Sequence, residues 1–544
     1  MGLPTPFLLS EGVLLIFHFC KLRDKVINMS KIGQILNGMI KIAGIFLFAM
    51  VIVIYAGLTC KSFDSTMYAS TEYMRFYNWS VSIPDSILKN ILYCMAGFAV
   101  LFLFYRLDKK YPKKAVTVEK LIFICFLAGY LCAGMAYALT SPYYPKGDQL
   151  NTTAGAMYFL QGNYTMFDPL GYIGICPHQK GLLFLYEICF RLFGEMNYTP
   201  IRIITVFMNA ITIYLGYRLI KELGGSEFSG VLYTVLMFFF VPYFALIPYA
   251  YGDLPSIFGI MVLMRFFTAY YYRGGIINIL MSVAGALFAV LNRSAAWIAI
   301  FALIITAVFL SIKKNKMYPL ACALFIAIVS YLALTAVNIR YEKITGYDRH
   351  TGSPVTAYIA MGMQYSEGAP GVYNRYHQIV YEMYNGDRAL ASAEAKMYIR
   401  ARLAEFKADP EMGYNFYKEK ILFQWNDPFF EWNTHMHSFE THIEPTGFYD
   451  SVYKGKIHDY LFRFMNRYQA FIYLLCLIAA VRGLVMILKD DKGNFFSWFF
   501  HIYFVGGFLF SLIWEAKARY SLPYFVFLIL VASMVFSRNK EKVY

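Results

Sequence analysis

Residues 121–149 read LIFICFLAGYLCAGMAYALTSPYYPKGDQ. The stretch from Leu121 to Leu139 carries no charge, and as a helix it is long enough to cross the hydrocarbon core of a bilayer, about 30 Å. The polar segment Tyr143-Tyr144-Pro145-Lys146-Gly147-Asp148-Gln149 follows at once. It places a carboxylate at the exit of a membrane span, a costly position that marks Asp148 as a candidate for chemistry. Asp253 repeats the arrangement between the apolar runs Val231–Ala250 and Leu254–Ala269.

Runs of the same kind recur along the chain. They fall at roughly 42–59, 87–105, 121–140, 201–220, 229–249, 254–271, 276–291, 295–312, 318–337, 468–488, 495–514 and 521–536. The length criterion therefore predicts an all-α polytopic membrane protein, a bundle of about 12 transmembrane helices. Composition agrees: 15% of residues are charged, against about 25% in soluble domains, and mean hydropathy is +0.47. The 19% aromatic content suits interfacial belts. A net charge of +15 invites a nucleic-acid reading, but the Lys and Arg residues sit mainly in short loops between runs, so the charge reports orientation and no nucleic acid is expected as a partner. All cysteines but Cys60 and Cys176 lie in or beside apolar runs. There is no CxxC pattern, and a bridge between those two stays open.

Orientation follows from the basic clusters Lys109, Lys110, Lys113 and Lys114; Lys313, Lys314 and Lys316; and Arg538, Lys540 and Lys542. Alternation through twelve spans puts all three on one face, which the positive-inside rule makes cytoplasmic together with both termini. The expected organisation is an N-terminal segment 1–35, two helices in 36–119, a transmembrane module 120–338 with a first external loop 141–199, an external domain 339–467, and C-terminal helices in 468–544. The N-terminal apolar stretch is interrupted by Glu11 and too short to count as a span. Gly181–Phe193 reads as an interfacial amphipathic helix, because Glu187 and Arg191 interrupt it. In the external domain Asp387 and Asp409-Pro410 read as helix starts.

Asp148, at a membrane boundary, is placed to take a proton from an acceptor hydroxyl as that oxygen attacks; an ordinary loop acid is the plainer reading. Asp253 serves equally well as a functional acid or as the cap of the next helix. Arg202, Arg293, Lys517 and Arg519 stand near the outer ends of spans, where a lipid-borne phosphate is a natural partner and snorkelling to headgroups the alternative. His178, Tyr144 and Glu515 are assigned to the acceptor side of an external cavity shared with Asp148. His435, His437 and His442 with Glu440 and Glu444 have the residue types of a metal site, but a polar surface loop is the stronger reading. No metal ligand is therefore assigned, and the cofactor, a divalent metal included, stays unknown.

The order of these features resembles the GT-C membrane glycosyltransferases, the superfamily of the protein O-mannosyltransferases and aminoarabinose transferases. The resemblance rests on Gly147-Asp148-Gln149, on Pro177-His178-Gln179-Lys180-Gly181 running to Phe193-Gly194, on Arg202 and Asp253, and on Glu515-Ala516-Lys517-Ala518-Arg519-Tyr520-Ser521-Leu522-Pro523. It covers residues 120–340 well and the last hundred loosely. It implies a polyprenyl-phosphate sugar donor, a cell-envelope acceptor on the outer face of a bacterial-type cell membrane, and inversion at the anomeric carbon. It makes Asp148 the catalytic base, Asp253 a second active-site acid, and Arg293, Lys517 or Arg519 ligands of the lipid phosphate. Gln149 departs from the Asp-Glu pair of the protein mannosyltransferases, so transfer to protein is not implied, and the two helices before residue 120 are an addition. A flippase for lipid-linked saccharides would show repeats, which the sequence lacks. A polysaccharide polymerase would lean on outer-loop arginines, and a receptor role leaves the two acids unexplained.

Overall fold

The apolar runs fold as helices, as a backbone surrounded by hydrocarbon must satisfy its own N–H and C=O groups. A computed structural model describes residues 30–69, 80–366, 369–436, 451–452, 455–489 and 496–536. Nine helices among the described residues are long and apolar enough to cross a membrane, and Glu227–Phe239, Ile276–Asn292 and Ala518–Ser533 are shorter apolar helices. The chain is a polytopic, mainly α-helical membrane protein.

Helix Asp253–Arg273 is the centre of the bundle: 83% of its apolar window is buried, against 11% for Ile87–Lys110 at the periphery. It crosses Ile276–Asn292 closely, since a Cβ on Gly259 would lie 2.6 Å from the Gly285 carbonyl oxygen. Helix Ser30–Asp64 packs along Lys456–Leu488.

Several local features differ from the sequence expectation. The run 229–249 breaks at Phe240 into Glu227–Phe239 and the short helix Val241–Ala245, with Pro242 in its first turn. The run 318–337 continues as helix to Thr345, where Arg340 and Tyr341 both bind Glu187. The spanning helix expected at 468–488 starts at Lys456, well before its apolar run. An antiparallel ribbon, Ser65–Ala69 with Ser80–Pro84, joins the first two long helices. A second, shorter ribbon pairs Tyr365–Ser366 with Ala369–Pro370.

Two elements between spans position the site. Asp148–Leu160 is a helix inside the segment 141–199 that the sequence predicts as an external loop. Lys180–Phe193 is the expected amphipathic helix, 14 residues long and too short to cross; Leu182, Leu183, Tyr186 and Phe190 face inward. Its buried Glu187 takes Arg340 in two hydrogen bonds, at 2.6 and 2.9 Å, and Tyr341 at 3.0 Å.

Residues 346–436 form short helices around the longer pair Arg388–Ala408 and Pro410–Trp425. Asp387 caps the first by accepting from the Ala389 and Leu390 amides, and Asp409 caps the second by accepting from Met412, with Pro410 at its first position. His437, Glu440, His442, Glu444, the segment 1–29 and the last basic cluster lie outside the described residues.

Candidate functional site

Several separate stretches of chain converge on one cavity of about 590 Å³. The first carries Asp148. Gly147 takes a left-handed φ of 54°, which turns the chain so that Asp148 becomes the first residue of its helix, where a negative charge is favoured. Arg202 holds the approach, donating to the Tyr143 carbonyl and, at 2.9 Å, to the Ser141 carbonyl. Tyr143 donates to Gln149 at 2.7 Å. Asp148 itself is exposed on the cavity wall and makes no ion pair among the described residues.

The second stretch is the junction of Gly252–Asp253 with Asn292–Arg293. Arg293 is extended between two helices, with φ −148° and ψ 124°, and a Cβ on Gly252 would lie 2.0 Å from the Asn292 carbonyl oxygen. Only glycine permits this approach. It brings Arg293 Nη2 to 2.8 Å from Asp253 Oδ1.

The third is Trp514–Tyr520. Lys517 is extended, pairs with Glu515 at 2.9 Å and faces the cavity. Arg519 is buried, pairs with the other oxygen of Asp253, and does not line the cavity. Asp253 is therefore gripped by two guanidinium groups and buried to 1% exposure, an arrangement that suits positioning rather than proton transfer.

The fourth stretch is Pro177–Gln179, with His178 on the wall and Gln179 donating to the Tyr251 hydroxyl. Ser353, Val355, Tyr358, Tyr373, His377 and Arg388 also line the cavity. Tyr358 stacks between Trp514, with centroids 5.1 Å apart, and His377, at 4.3 Å.

Burial lowers His178 to about 4, assisted by Arg293, and lowers His377 likewise, so both rings are neutral near pH 7. Burial also disfavours the Lys517 ammonium and the Arg293 guanidinium, but Glu515 and Asp253 respectively outweigh it, and both stay charged. The cavity is thus lined by an exposed carboxylate and by two retained cations, each paired with an acid, together with neutral imidazoles and aromatic rings.

The structure brings together Asp148, Asp253, Arg293, His178, Glu515 and Lys517 on one wall system. Arg519 stands behind Asp253. Arg202 serves the 141–143 carbonyls and does not line the cavity, and Tyr144 lies outside it, half exposed and edge-on to Tyr198 at 5.5 Å. His435 Nε2 lies 3.0 Å from Glu431 Oε2 and 3.3 Å from Arg519 Nε, and a single ring nitrogen serves one of them at a time. Among the described residues no three His, Cys, Asp or Glu side chains gather as a metal site, and Cys60 and Cys176 are unbridged.

Sequence reasoning missed Tyr358, Tyr373 and His377, which have no local signature. It also missed Glu431, whose only signal is its i,i+4 spacing to His435. No protein-family model matches the chain, and a search of curated proteins finds no match.

Proposed function

We propose that the protein is a membrane glycosyltransferase of GT-C type, moving a sugar from a polyprenyl-phosphate donor to a cell-envelope acceptor. The observation that carries this reading is that the exposed Asp148 carboxylate and the cations Arg293 and Lys517 line one cavity. Asp148 lies near enough to favour the charge on Lys517 and to bias His178 and Tyr251.

The chemistry is a single displacement. The acceptor hydroxyl oxygen bonds to the anomeric carbon from the face opposite the phosphate while Asp148 takes its proton, and the bond from that carbon to the phosphate oxygen breaks with inversion. The leaving polyprenyl phosphate gains negative charge, which Arg293 and Lys517 are placed to balance. Asp253 and Arg519 hold Arg293 in place.

The nine long and three short apolar helices count as twelve crossings, with both termini cytoplasmic and the cavity on the outer face of the cell membrane. The basic clusters at 109–114 and 313–316 support that orientation.

The test is transfer of labelled sugar from a panel of polyprenyl-phosphate donors by membranes with matched amounts of wild type or Asp148→Asn. Wild-type transfer that falls by at least about 100-fold in the variant supports the reading. An equally active variant removes Asp148 from the mechanism, and wild-type membranes that consume no donor remove the transferase.

A further inference from the structure

The segment carrying Lys517 and Arg519 is not held by its own spans alone. Residues 362–431 strap it along its length. Lys420 Nζ donates to the carbonyls of Gly362 and, at 2.9 Å, Leu512. Gln424 Nε2 donates to the Ser511 carbonyl and Trp425 Nε1 to the Ser511 hydroxyl, both at 3.0 Å. The Ala516 amide donates to Gly371 at 2.7 Å.

The strap ends on Glu431. Its Oε1 accepts from the Ala518 amide at 2.9 Å, between the two cations. Its Oε2 lies 3.0 Å from His435 Nε2, which in turn lies 3.3 Å from Arg519 Nε. Glu431 is 1% exposed, and it reaches this place through a strained backbone, since Phe430 and Glu431 have φ of 50° and 58°. Asp427 holds the turn, accepting from the Phe429 and Glu431 amides at 2.8 and 2.9 Å. Two consecutive non-glycine residues in the left-handed region, fixed by a buried carboxylate, aim one acid at one amide.

We infer that Glu431 is a positioning residue for the anion site, fixing the Lys517–Arg519 segment through the Ala518 amide. The inference rests on the reading of that site as the one that binds the donor phosphate, and it gives the inter-span segment a part in building the site. Glu431 does not line the cavity, so its effect passes through Lys517 and Arg519.

The experiment uses the full chain in detergent, with a polyprenyl monophosphate as probe, in wild type, Glu431→Ala and Glu431→Gln. Amide exchange in residues 515–519 is read by mass spectrometry alongside probe affinity. The alanine variant is expected to exchange faster there and to lose affinity by about tenfold or more, the scale of a charged hydrogen bond. Glutamine keeps an acceptor for Ala518 N–H at nearly the same size, so it folds as the wild type does, retains slow exchange and loses less affinity. With any donor that the wild type consumes, the alanine variant raises KM by a similar factor and leaves kcat within about twofold.

Unchanged exchange in the alanine variant overturns the inference. So does faster exchange with unchanged affinity, or a loss confined to kcat. If the wild type binds no polyprenyl phosphate, the phosphate reading of the site fails and takes the functional half of the inference with it. The exchange data then still decide whether Glu431 holds the segment.

Discussion

Each end of helix Asp253–Arg273 takes part in a cluster of one carboxylate and two arginines. At its N-terminal end Asp253 pairs with Arg293 and Arg519. At its C-terminal end Arg265 and Arg273 pair with Glu222 from the neighbouring helix, Arg265 at 2.7 Å. The ion chemistry is the same, so a buried Arg–carboxylate–Arg cluster is by itself no sign of function. A fully packed cluster of this kind gives little net stability, and breaking one costs far more than its presence contributes. The difference lies in the surroundings. The N-terminal cluster forms a wall of the cavity that Asp148 faces and is strapped by residues 362–431. The C-terminal cluster touches no part of that cavity, and Arg273 is half exposed.

The largest expected effect removes the one group the C-terminal cluster has no counterpart for. Asp148→Asn lowers transfer by at least about 100-fold with an unchanged melting temperature, because asparagine keeps the size and removes the base. Next comes the paired test of the clusters. Asp253→Asn and Glu222→Gln each leave two arginines without their counter-charge, and each destabilises the solubilised protein by about 3–5 kcal/mol. Only Asp253→Asn raises the donor KM. A comparable KM rise in Glu222→Gln would erase the distinction between the two ends.

Smaller still is the effect of single cations. Lys517→Met raises donor KM by about tenfold, through loss of one charge-assisted contact. Arg273→Met, at a half-exposed pair, changes stability by about 1 kcal/mol or less and leaves KM alone. Steady-state kinetics on the two variants separates them.

The sequence made the outline legible because hydrocarbon permits few backbone solutions. Long uncharged runs read as helices, and the caps at Asp387 and Asp409 stand where their residue types predict. Asp148, Arg293 and Lys517 were legible for the same reason, as charges at the ends of apolar runs.

What failed was anything decided by tertiary contact. Arg202 looks like Arg293 in sequence, yet one serves two carbonyls and the other faces a cavity; only the crossing at Gly252 and Asn292 separates them. Arg340 extends a helix past its apolar end because Glu187, about 150 residues away in sequence, awaits it. Tyr358 and His377 reach the site from a segment whose composition gives no hint of it, and the helix that Asp148 opens carries too weak an apolar pattern to be read.

The strap is the other thing the N-terminal cluster has and the C-terminal cluster lacks, and Lys420 lets it be weighed separately. Burial lowers this lysine from 10.5 to about 7, only partly offset by Glu515. Below about pH 7 the folded and unfolded chains both carry its proton, and folding bears the full cost of burying the charge. Between about pH 7 and 10 the unfolded chain binds the proton and the folded chain does not, so stability rises with pH, by up to about 1.4 kcal/mol per unit. Lys420→Met removes this dependence and strands the Gly362 and Leu512 carbonyls at every pH. The gap in melting temperature between wild type and Lys420→Met therefore widens from pH 7 to pH 10. A constant gap would mean that the ammonium stays charged in the fold, and the strap would then be an ionic tether to Glu515 rather than a set of hydrogen bonds made by a neutral amine.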